Sequence, residues 1–319
     1  MILLFAACFQ INSGDFEHWK TKLIIDSYAQ NEEPDIEVSD TGADSGEEEV
    51  DEEVDTSEDT GLDSGTAEET GMEFQDFEIE VSELPAGTFQ MGCTDGDTTC
   101  FPEESPAHSV EITRAFAVMK TEVTQALYES VMLMNPSEPA FGGTFPVHHV
   151  SWYDALTFAN TLSRLEGRQE CYVLPSENNG VVEWIGFDCN GWRLLTEAEW
   201  EYAARGNEAF IYAGADSLED IAWYRDNSDV QVRQVGTKNP NGFDLYDMNG
   251  NLWEWCWDWY GDYPTEPQTD PLGVSTGSLR IIRGGSFGTE AVEVGVSGRG
   301  RRSSTTQYGA LGLRLGRTL

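Results

Sequence analysis

The stretch DLYDMNGNLWEWCWDWYGDY, residues 244–263, contains four tryptophans at alternating positions. They are Trp253, Trp255, Trp257 and Trp259, with Glu254, Cys256 and Asp258 between them. Because successive side chains of a strand point to opposite faces, this spacing predicts a strand with an indole face and an acidic face. The upstream segment Asp-Met-Asn-Gly-Asn allows a second interpretation, a loop that wraps a hard cation such as Ca²⁺. The rest of the chain is needed to choose between them.

Acidic residues dominate the N-terminal part of the chain. The sequence has 58 acidic and 18 basic residues and a net charge of −40, which argues against a nucleic-acid partner because a polyanion would be repelled. No Lys or Arg occurs between Lys22 and Arg114, and acidic residues there alternate with Ser, Thr and Gly. Such a segment buries too little apolar surface to offset its ordering entropy. We therefore expect a disordered acidic linker over residues 26–83 and one folded domain over residues 84–319.

The first eight residues, MILLFAAC, form an apolar run that ends in small residues and a cysteine. This pattern resembles the end of a bacterial lipoprotein signal, in which Cys8 would carry the lipid. A basic leading region is missing, so either the true start lies upstream or the match is accidental. We interpret residues 1–25 as a signal remnant with a short N-terminal segment. The expectation is an extracytoplasmic protein of the bacterial cell envelope, or a secreted one, whose only membrane contact is a lipid anchor.

Two pairs of cysteines lie close together in the sequence. Cys93 and Cys100 bracket a short polar loop, and Cys171 and Cys189 bracket a longer one. This spacing predicts two local disulfides, which suit an oxidising compartment. Zinc is the alternative, but the chain has no CxxC motif and only four histidines. Cys256 is left over, as is typical of a packed core cysteine.

Three segments of the domain carry helix signals. Each begins with a Ser or Thr that can cap the first turn, and each ends near a Gly or a Pro. The N-caps are Thr124, Ser151 and Thr196, and Glu199 completes a capping box with Thr196. From Gly206 onward the sequence indicates turns, short strands and aromatic residues.

A series of short blocks runs from about Leu84 to Leu319. Among them are GWRLLTEAEWEYAARG (191–206), NPNGFDLYDMNGNLWEWCWDWYG (239–261), RIIRGGSF (280–287) and GLRLG (312–316). Their order resembles that of the formylglycine-generating enzymes, also called sulfatase-modifying factors. The resemblance implies an α+β fold related to C-type lectins with little regular secondary structure. It also implies oxidation of a substrate cysteine to formylglycine, with copper held by two cysteines beyond the RGGS block.

The copper-ligand positions implied by this resemblance fall on Thr289 and Val294. Neither residue supplies a thiolate, and no cysteine follows Cys256. Monovalent copper requires thiolate or thioether ligands. We therefore expect no copper, and Cys256 matches a position that is not a ligand in the family.

The resemblance also implies a structural Ca²⁺ in the loop before the tryptophans. The matching positions are Asp247, Gly250, Leu252 and Glu254, with Glu254 turned toward the ion. Calcium takes carboxylate and carbonyl oxygens, and Gly250 permits a tight turn. The alternative is that Asp247 and Glu254 cap turns without an ion. The tryptophans then form core and rim of the domain.

A peptide-binding cleft is the last site that the resemblance implies, and Trp253 and Ser286 match residues near it. The segment on the same side contains four arginines, which are Arg283, Arg299, Arg301 and Arg302. They could attract an acidic partner or pair with the domain's own carboxylates, which is the commoner outcome.

The leading interpretation is a binding module for an exported peptide, glycan or protein that has lost copper catalysis. One alternative is an active oxidoreductase or maturation factor of the same superfamily with a different metal site, and another is a structural surface module. His148 and His149 are adjacent, so on a strand they would point to opposite faces and would be poor joint ligands. Because a fold alone does not fix function, the site has to decide.

Overall fold

The first strand begins before the expected domain boundary. The computed structural model describes residues 78–175 and 181–319, so the predictions for Cys8, the signal segment and most of the acidic linker lie outside the described residues. Strand β1 (Val81–Leu84) pairs antiparallel with β4 (Phe116–Met119) along its whole length. The domain therefore starts earlier than residue 84, since the last part of the expected linker is apolar enough to join a sheet.

The two ends of the domain meet in one sheet. This sheet has the order β1-β4-β13-β7, where β13 is Leu315–Thr318 and β7 is Arg193–Leu194. The C-terminal strand β13 is antiparallel to both of its neighbours, β4 and β7. It thus lies inside the sheet and joins the N-terminal strands to the segment that precedes the third helix.

The tryptophan stretch forms the strand that its period predicts. Strand β8 (Trp253–Trp259) lies between β10 (Arg280–Arg283) and β12 (Leu311–Gly312), and β11 (Arg299–Arg302) completes the order β11-β10-β8-β12. It is antiparallel to β10 and parallel to β12. A three-stranded sheet of β2 (Gly87–Met91), β3 (His108–Ile112) and β9 (Gln268–Thr269), and a pair of β5 (Tyr172–Val173) and β6 (Glu183–Trp184), complete the strands.

The three expected helices are present with their predicted N-caps. They are α1 (Gln125–Met132), α2 (Trp152–Leu165) and α3 (Glu197–Arg205). The N-caps of α2 and α3 form capping boxes, and the α3 box consists of Thr196 and Glu199. Helix α3 ends at Gly206, whose φ of 59° is the left-handed conformation that glycine adopts at little cost. In the described ranges, no helix has the length and apolar character needed to cross a membrane.

Both predicted disulfides are confirmed. Cys93 bonds to Cys100 and Cys171 bonds to Cys189, with Cα atoms 5.8 and 5.6 Å apart. Cys256 is buried and has no disulfide partner. The short 3₁₀ helix Pro102–Glu104 follows the first disulfide loop directly.

Strand β8 separates two apolar cores. Trp255 packs in the first core with Trp152 and Phe158 of α2. Cys256 packs in the second core with Trp200 of α3. Trp255 is buried, while the other three tryptophans of the strand are half-buried. The prediction that these tryptophans form core and rim is therefore confirmed.

Arg280 fills the space between the indoles at the rim. Its guanidinium carbon lies 3.7 Å from the ring centroid of Trp152 and 3.4 Å from that of Trp259. One of its nitrogens donates to the carbonyl of Trp257 at 2.6 Å. Cation–π contacts strengthen when the cation is desolvated, and Arg280 is almost fully buried. The guanidinium therefore fixes the spacing of the indole face.

Every glutamate of α3 is buried against an arginine. Glu199 accepts two bonds from Arg193, at 2.6 and 2.8 Å. Glu197 accepts from Arg299 at 2.7 and 2.9 Å. Glu201 lies between two arginines: one carboxylate oxygen is 2.7 Å from Arg205 Nη2, and the other bonds to Arg283. Removing one partner of a buried pair leaves an uncompensated charge, so these contacts fix how α3 is held.

The substitution Glu201→Gln tests this role. It removes the negative charge that Arg205 and Arg283 share, so we expect a loss of about 3–5 kcal/mol in the free energy of unfolding. Urea denaturation measures it. The control is Glu170→Gln, which removes a surface partner of Arg164 and should cost less than about 1 kcal/mol. Equal losses in the two variants would contradict the role of the buried pairs.

Asp258, on the acidic face of β8, caps the start of α3. Its Oδ2 accepts the backbone N–H of Glu197 at 2.7 Å, and the residue is buried. Burial, followed by the nearby charge of Glu197, raises the pKa of Asp258 to about 8. The folded state therefore holds this proton more tightly than the unfolded chain, whose carboxyl has a pKa of about 4. As a result, the contribution of Asp258 to stability falls as pH rises from about 4 to about 8.

Asp258→Asn should weaken this pH dependence, because the amide does not titrate and its oxygen can still accept the Glu197 N–H. Between pH 5 and pH 8, we expect the variant to lose less stability than the wild type, by on the order of 1 kcal/mol or more. Urea unfolding at both pH values provides the measurement. The exposed Asp188→Asn is the control, and parallel curves for wild type and Asp258→Asn would refute the assignment.

Candidate functional site

A glycine turn follows β10 and brings the two family ligand positions next to it. A Cβ on Gly285, whose φ is 77°, would lie 2.3 Å from Cγ1 of Val294. Val294 is fully buried in a small apolar cluster with Leu218, Ile221 and Ala222. Val294, which the resemblance matches to the second copper ligand, is therefore a packed aliphatic side chain.

Thr289 and Ser286 form a closed hydrogen-bonded pair on the same turn. The Thr289 hydroxyl accepts the Ser286 N–H at 3.0 Å, and the two hydroxyls are 3.0 Å apart. The Ser286 hydroxyl also accepts the Gly288 N–H at 3.3 Å. Ser286 is only 3% exposed, so it lies beneath the surface of the candidate cleft rather than on it.

Cys256, the free thiol among the described residues, is unsuited to metal or redox chemistry. Burial raises the pKa of Cys256 well above its usual range, and the charge of Asp258 raises it further. The reactive form of cysteine is the thiolate, which this environment disfavours. The prediction that Cys256 is a packed core residue therefore agrees with its surroundings.

The loop before β8 is a tight turn that only glycine permits. Gly250 has a φ of 80° and donates its N–H to the carbonyl of Gly284 at 2.8 Å. A Cβ on Gly250 would lie 2.1 Å from the carbonyl oxygen of Trp223. Asp247 and Asn251 also have positive φ, at 57° and 54°. The loop thereby folds back against the glycine turn after β10.

One carboxylate oxygen in this loop has no partner. Asp247 is 2% exposed, and its Oδ2 accepts the N–H of Gly236 at 2.7 Å. Its Oδ1 is buried without a hydrogen-bond partner. Burial raises the pKa of Asp247 to about 6. A buried carboxylate oxygen without a donor is the kind of atom that a hard cation such as Ca²⁺ satisfies.

Glu254 is oriented differently from the expectation. Its carboxylate accepts from Arg314 at 2.8 to 3.1 Å and from the indole N–H of Trp200 at 2.7 Å. The side chain is thus turned toward these donors rather than toward a free coordination position. Of the four predicted positions, Asp247 is the one with an unsatisfied side-chain oxygen.

Two residues that the sequence interpretation did not assign hold the loop together. Glu122 accepts the N–H of Leu252 at 2.9 Å and the side-chain amide of Asn251 at 2.7 Å. Arg314 donates to Glu254 and to the carbonyl of Tyr246 at 2.7 Å. Arg314 lies in the block GLRLG, and Glu122 begins EVTQALYESVM (122–132), another block of the same series, so the resemblance was the signal available. Three carboxylates, from Glu122, Asp247 and Glu254, thus surround one guanidinium.

A cavity of about 410 Å³ borders this cluster. Its lining includes Glu122, Gly236 and Tyr246 together with Lys120 and Leu127. Burial, and then the charges of Asp247 and Glu254, raise the pKa of Glu122 well above its usual range. Among the residues described, no three His, Cys, Asp or Glu side chains are grouped so that they could hold a metal ion by themselves. A cation here would therefore depend on backbone carbonyls as well.

Comparison with known proteins shows the family to which this domain belongs. Residues 70–319 match the model of the sulfatase-modifying factor enzyme 1-like domain. The chain belongs to the sulfatase-modifying-factor family. The match begins before residue 84, in agreement with the early start of β1.

The chain is similar in sequence or structure to several proteins that carry different names. It is 33% identical over 204 residues to chaperone protein LppX of Paenibacillus barcinonensis, covering 54% of this chain and 69% of the relative. Over 243 residues it is 30% identical to the formylglycine-generating enzyme of Streptomyces coelicolor, covering 64% and 77%. Among solved structures, Treponema denticola variable protein 1 is 32% identical with a TM-score of 0.68, covering 75% of this chain and 95% of that protein.

The four arginines singled out from the sequence of this sulfatase-modifying-factor domain divide into two groups. Arg283 and Arg299 are the buried partners of Glu201 and Glu197 described above. Arg301 and Arg302 are exposed and form no ion pair with any described residue. The internal pairing considered from the sequence therefore occurs for Arg283 and Arg299, whereas Arg301 and Arg302 have no ion pair among the described residues.

Trp253 lies beside these exposed arginines. The indole is half-buried, and a Cβ on Gly300 would lie 2.9 Å from its Cζ3 atom. Because Gly300 has no side chain, the ring of Trp253 can approach β11 closely. The structure places Trp253 at the surface, whereas Ser286, the other cleft candidate, is buried.

The adjacent histidines do face each other. His149 has a φ of 60°, and its Nδ1 lies 2.8 Å from the Nδ1 of His148. The expectation of opposite faces assumed a strand, and the left-handed backbone at His149 removes that condition. One imidazole must therefore donate and the other accept, which is a structural hydrogen bond.

Proposed function

We propose that this protein is an extracytoplasmic binding module that retains the sulfatase-modifying-factor fold without copper-dependent cysteine oxidation. Its ligand would be an extended peptide segment of another exported protein. The observation that carries the proposal is Val294, which packs in an apolar cluster at the position of the second copper ligand. A thiolate pair is what monovalent copper requires, and a Thr and a Val cannot supply it.

Three features support the binding and export parts of the proposal. A relative with 33% identity is named a chaperone protein, a class of proteins that bind other proteins. Two disulfides suit an oxidising compartment, and lipid attachment at Cys8 would hold the domain at the cell envelope. Trp253 offers a half-exposed aromatic surface of the kind that anchors peptide contacts.

Copper affinity tests the loss of catalysis. The wild-type protein should fail to withdraw Cu(I) from a chromophoric chelator, whereas Thr289→Cys with Val294→Cys should compete for it, because two thiolates would then flank the glycine turn. Peptide turnover provides the opposing outcome. Oxidation of a cysteine-bearing peptide by the wild-type protein, with copper, iron or another metal, would establish the enzyme alternative.

Peptide retention tests the binding activity. An array of extended peptides from exported proteins should retain the wild-type protein, and Trp253→Ala should weaken retention by about tenfold or more, as for a central aromatic anchor. Phe141→Ala is the matched control, since Phe141 is 43% exposed and stacks only on Phe145 among the aromatic rings. An array that retains neither wild type nor control would refute the proposal.

We also propose a structural Ca²⁺ at the loop of Asp247. The unsatisfied Oδ1 of Asp247 and the backbone carbonyls of Gly250 and Leu252 are the atoms we assign to it, while the carboxylate of Glu254 stays hydrogen-bonded to Arg314 and Trp200. Support comes from the charge balance, because the buried carboxylates of Glu122, Asp247 and Glu254 lie near Arg314, and only that of Glu254 hydrogen-bonds to it among the described contacts. A divalent cation would compensate for the remaining charge.

Chelation tests this ion. Removing calcium should lower the melting temperature of the wild type by about 5 °C, since an ion bound at a hundred times its Kd adds about 2.7 kcal/mol of stability. Asp247→Ala should melt lower and respond no further to the chelator. The exposed Asp262→Ala serves as control and should respond like the wild type. A wild-type protein that melts identically with and without chelator would remove the calcium proposal.

A further inference from the structure

Strand β11 has a free edge. It pairs with β10 on one side, and no described strand lies on its other side. An edge strand leaves every second N–H and C=O without a ladder partner. Instead of a strand donor, the carbonyl of Arg301 accepts from the guanidinium of Arg302 at 2.8 Å.

The free edge carries two positively charged side chains that have no ion pair within the described part of the chain. Arg301 and Arg302 are exposed and form no ion pair with the described residues, although acidic residues outnumber basic ones 58 to 18. Charged edges commonly prevent pairing between copies of one protein. Two facing copies of this edge would bring like charges together and repel, whereas an acidic segment would be attracted locally despite the net charge of −40.

Aromatic contacts hold both guanidinium groups in place. The Arg301 guanidinium carbon lies 4.3 Å from the ring centroid of Tyr260, and that of Arg302 lies 5.6 Å from Tyr308. Such contacts restrict the side chains, and apart from the bond of Arg302 to the Arg301 carbonyl they leave guanidinium N–H groups for a carboxylate. Because less freedom is lost on binding, such an arrangement favours recognition of an acidic ligand.

We propose that β11 is the docking edge for an extended acidic segment of the partner protein, added as a further strand with its carboxylates on Arg301 and Arg302. Strand addition supplies backbone hydrogen bonds, and the side chains supply selectivity. Trp253 lies against Gly300 of the same strand and offers an apolar contact next to the charges. The proposal rests on the binding function above, since it names the surface and the charge of the ligand.

A labelled oligoglutamate peptide is the probe, with oligoglutamine of equal length as its uncharged control. In fluorescence anisotropy on the full chain, the glutamate peptide should bind, and Arg301→Gln with Arg302→Gln should weaken binding on the order of tenfold. Arg164→Gln with Arg168→Gln, an equal loss of charge on α2 and its C-terminal end, should leave the affinity unchanged. The acidic residues 32–69 are present in every variant, so any competition from them is the same in each.

Hydrogen exchange tests strand addition separately from charge attraction. With peptide bound, the amides of residues 299–302 should exchange more slowly, because a new ladder protects them. Equal affinity in the two double variants would overturn the proposal, and so would arginine-dependent binding without slower exchange.

The outcome is distinguishable from that of the binding function itself. If Arg301→Gln with Arg302→Gln retains the array peptides that Trp253→Ala loses, the docking edge is wrong and the binding function stands. If the array retains no peptide with any variant, the binding function itself has failed.

Discussion

Buried charge has to be neutralised, and this requirement organises the domain. The carboxylates of Glu197, Glu199 and Glu201 enter the interior on one helix, and each meets an arginine from another segment. Arg283 and Arg299 reach them from β10 and β11, and Arg193 from β7. The cost of an unpaired buried charge is several kcal/mol, so the strands and the helix have one arrangement that satisfies all of them. Large parts of the domain without regular structure are anchored to this framework.

Strand β8 distributes two kinds of side chain to two sides. Its indole face contributes to the core around α2, and its other face gives Glu254, Cys256 and Asp258 to the side of α3. The same alternation therefore builds an apolar core and positions the acidic groups that meet Trp200 and the start of α3. The loop that contains Asp247 and the glycine turn after β10 are in direct contact. They are joined where the N–H of Gly250 donates to the carbonyl of Gly284. Thr289 and Val294, where the resemblance implies cysteines, are compatible with this framework.

Local signals in the sequence were sufficient for local structure. The alternating tryptophans, the capping boxes at Ser151 and Thr196 and the two disulfides all depend on residues that are near one another in the chain. The partners of the buried charges are not, since Glu197 and Arg299 are 102 residues apart. A composition argument can state that such arginines pair or remain free, but it cannot say which. Likewise, the contact between His148 and His149 depends on one left-handed residue, which spacing alone does not reveal.

The position of β13 has a consequence for how the chain matures. Strand β13 follows β4 and β7 in the chain and lies between them in the sheet, so the two cannot be joined before β13 has been synthesised. Until then, the edge of β4 that β13 covers has no partner strand, a state that invites misassembly. Completion of this sheet therefore depends on a strand that lies far from β4 in the sequence. An incompletely assembled sheet therefore differs from a complete one by the uncovered edge of β4.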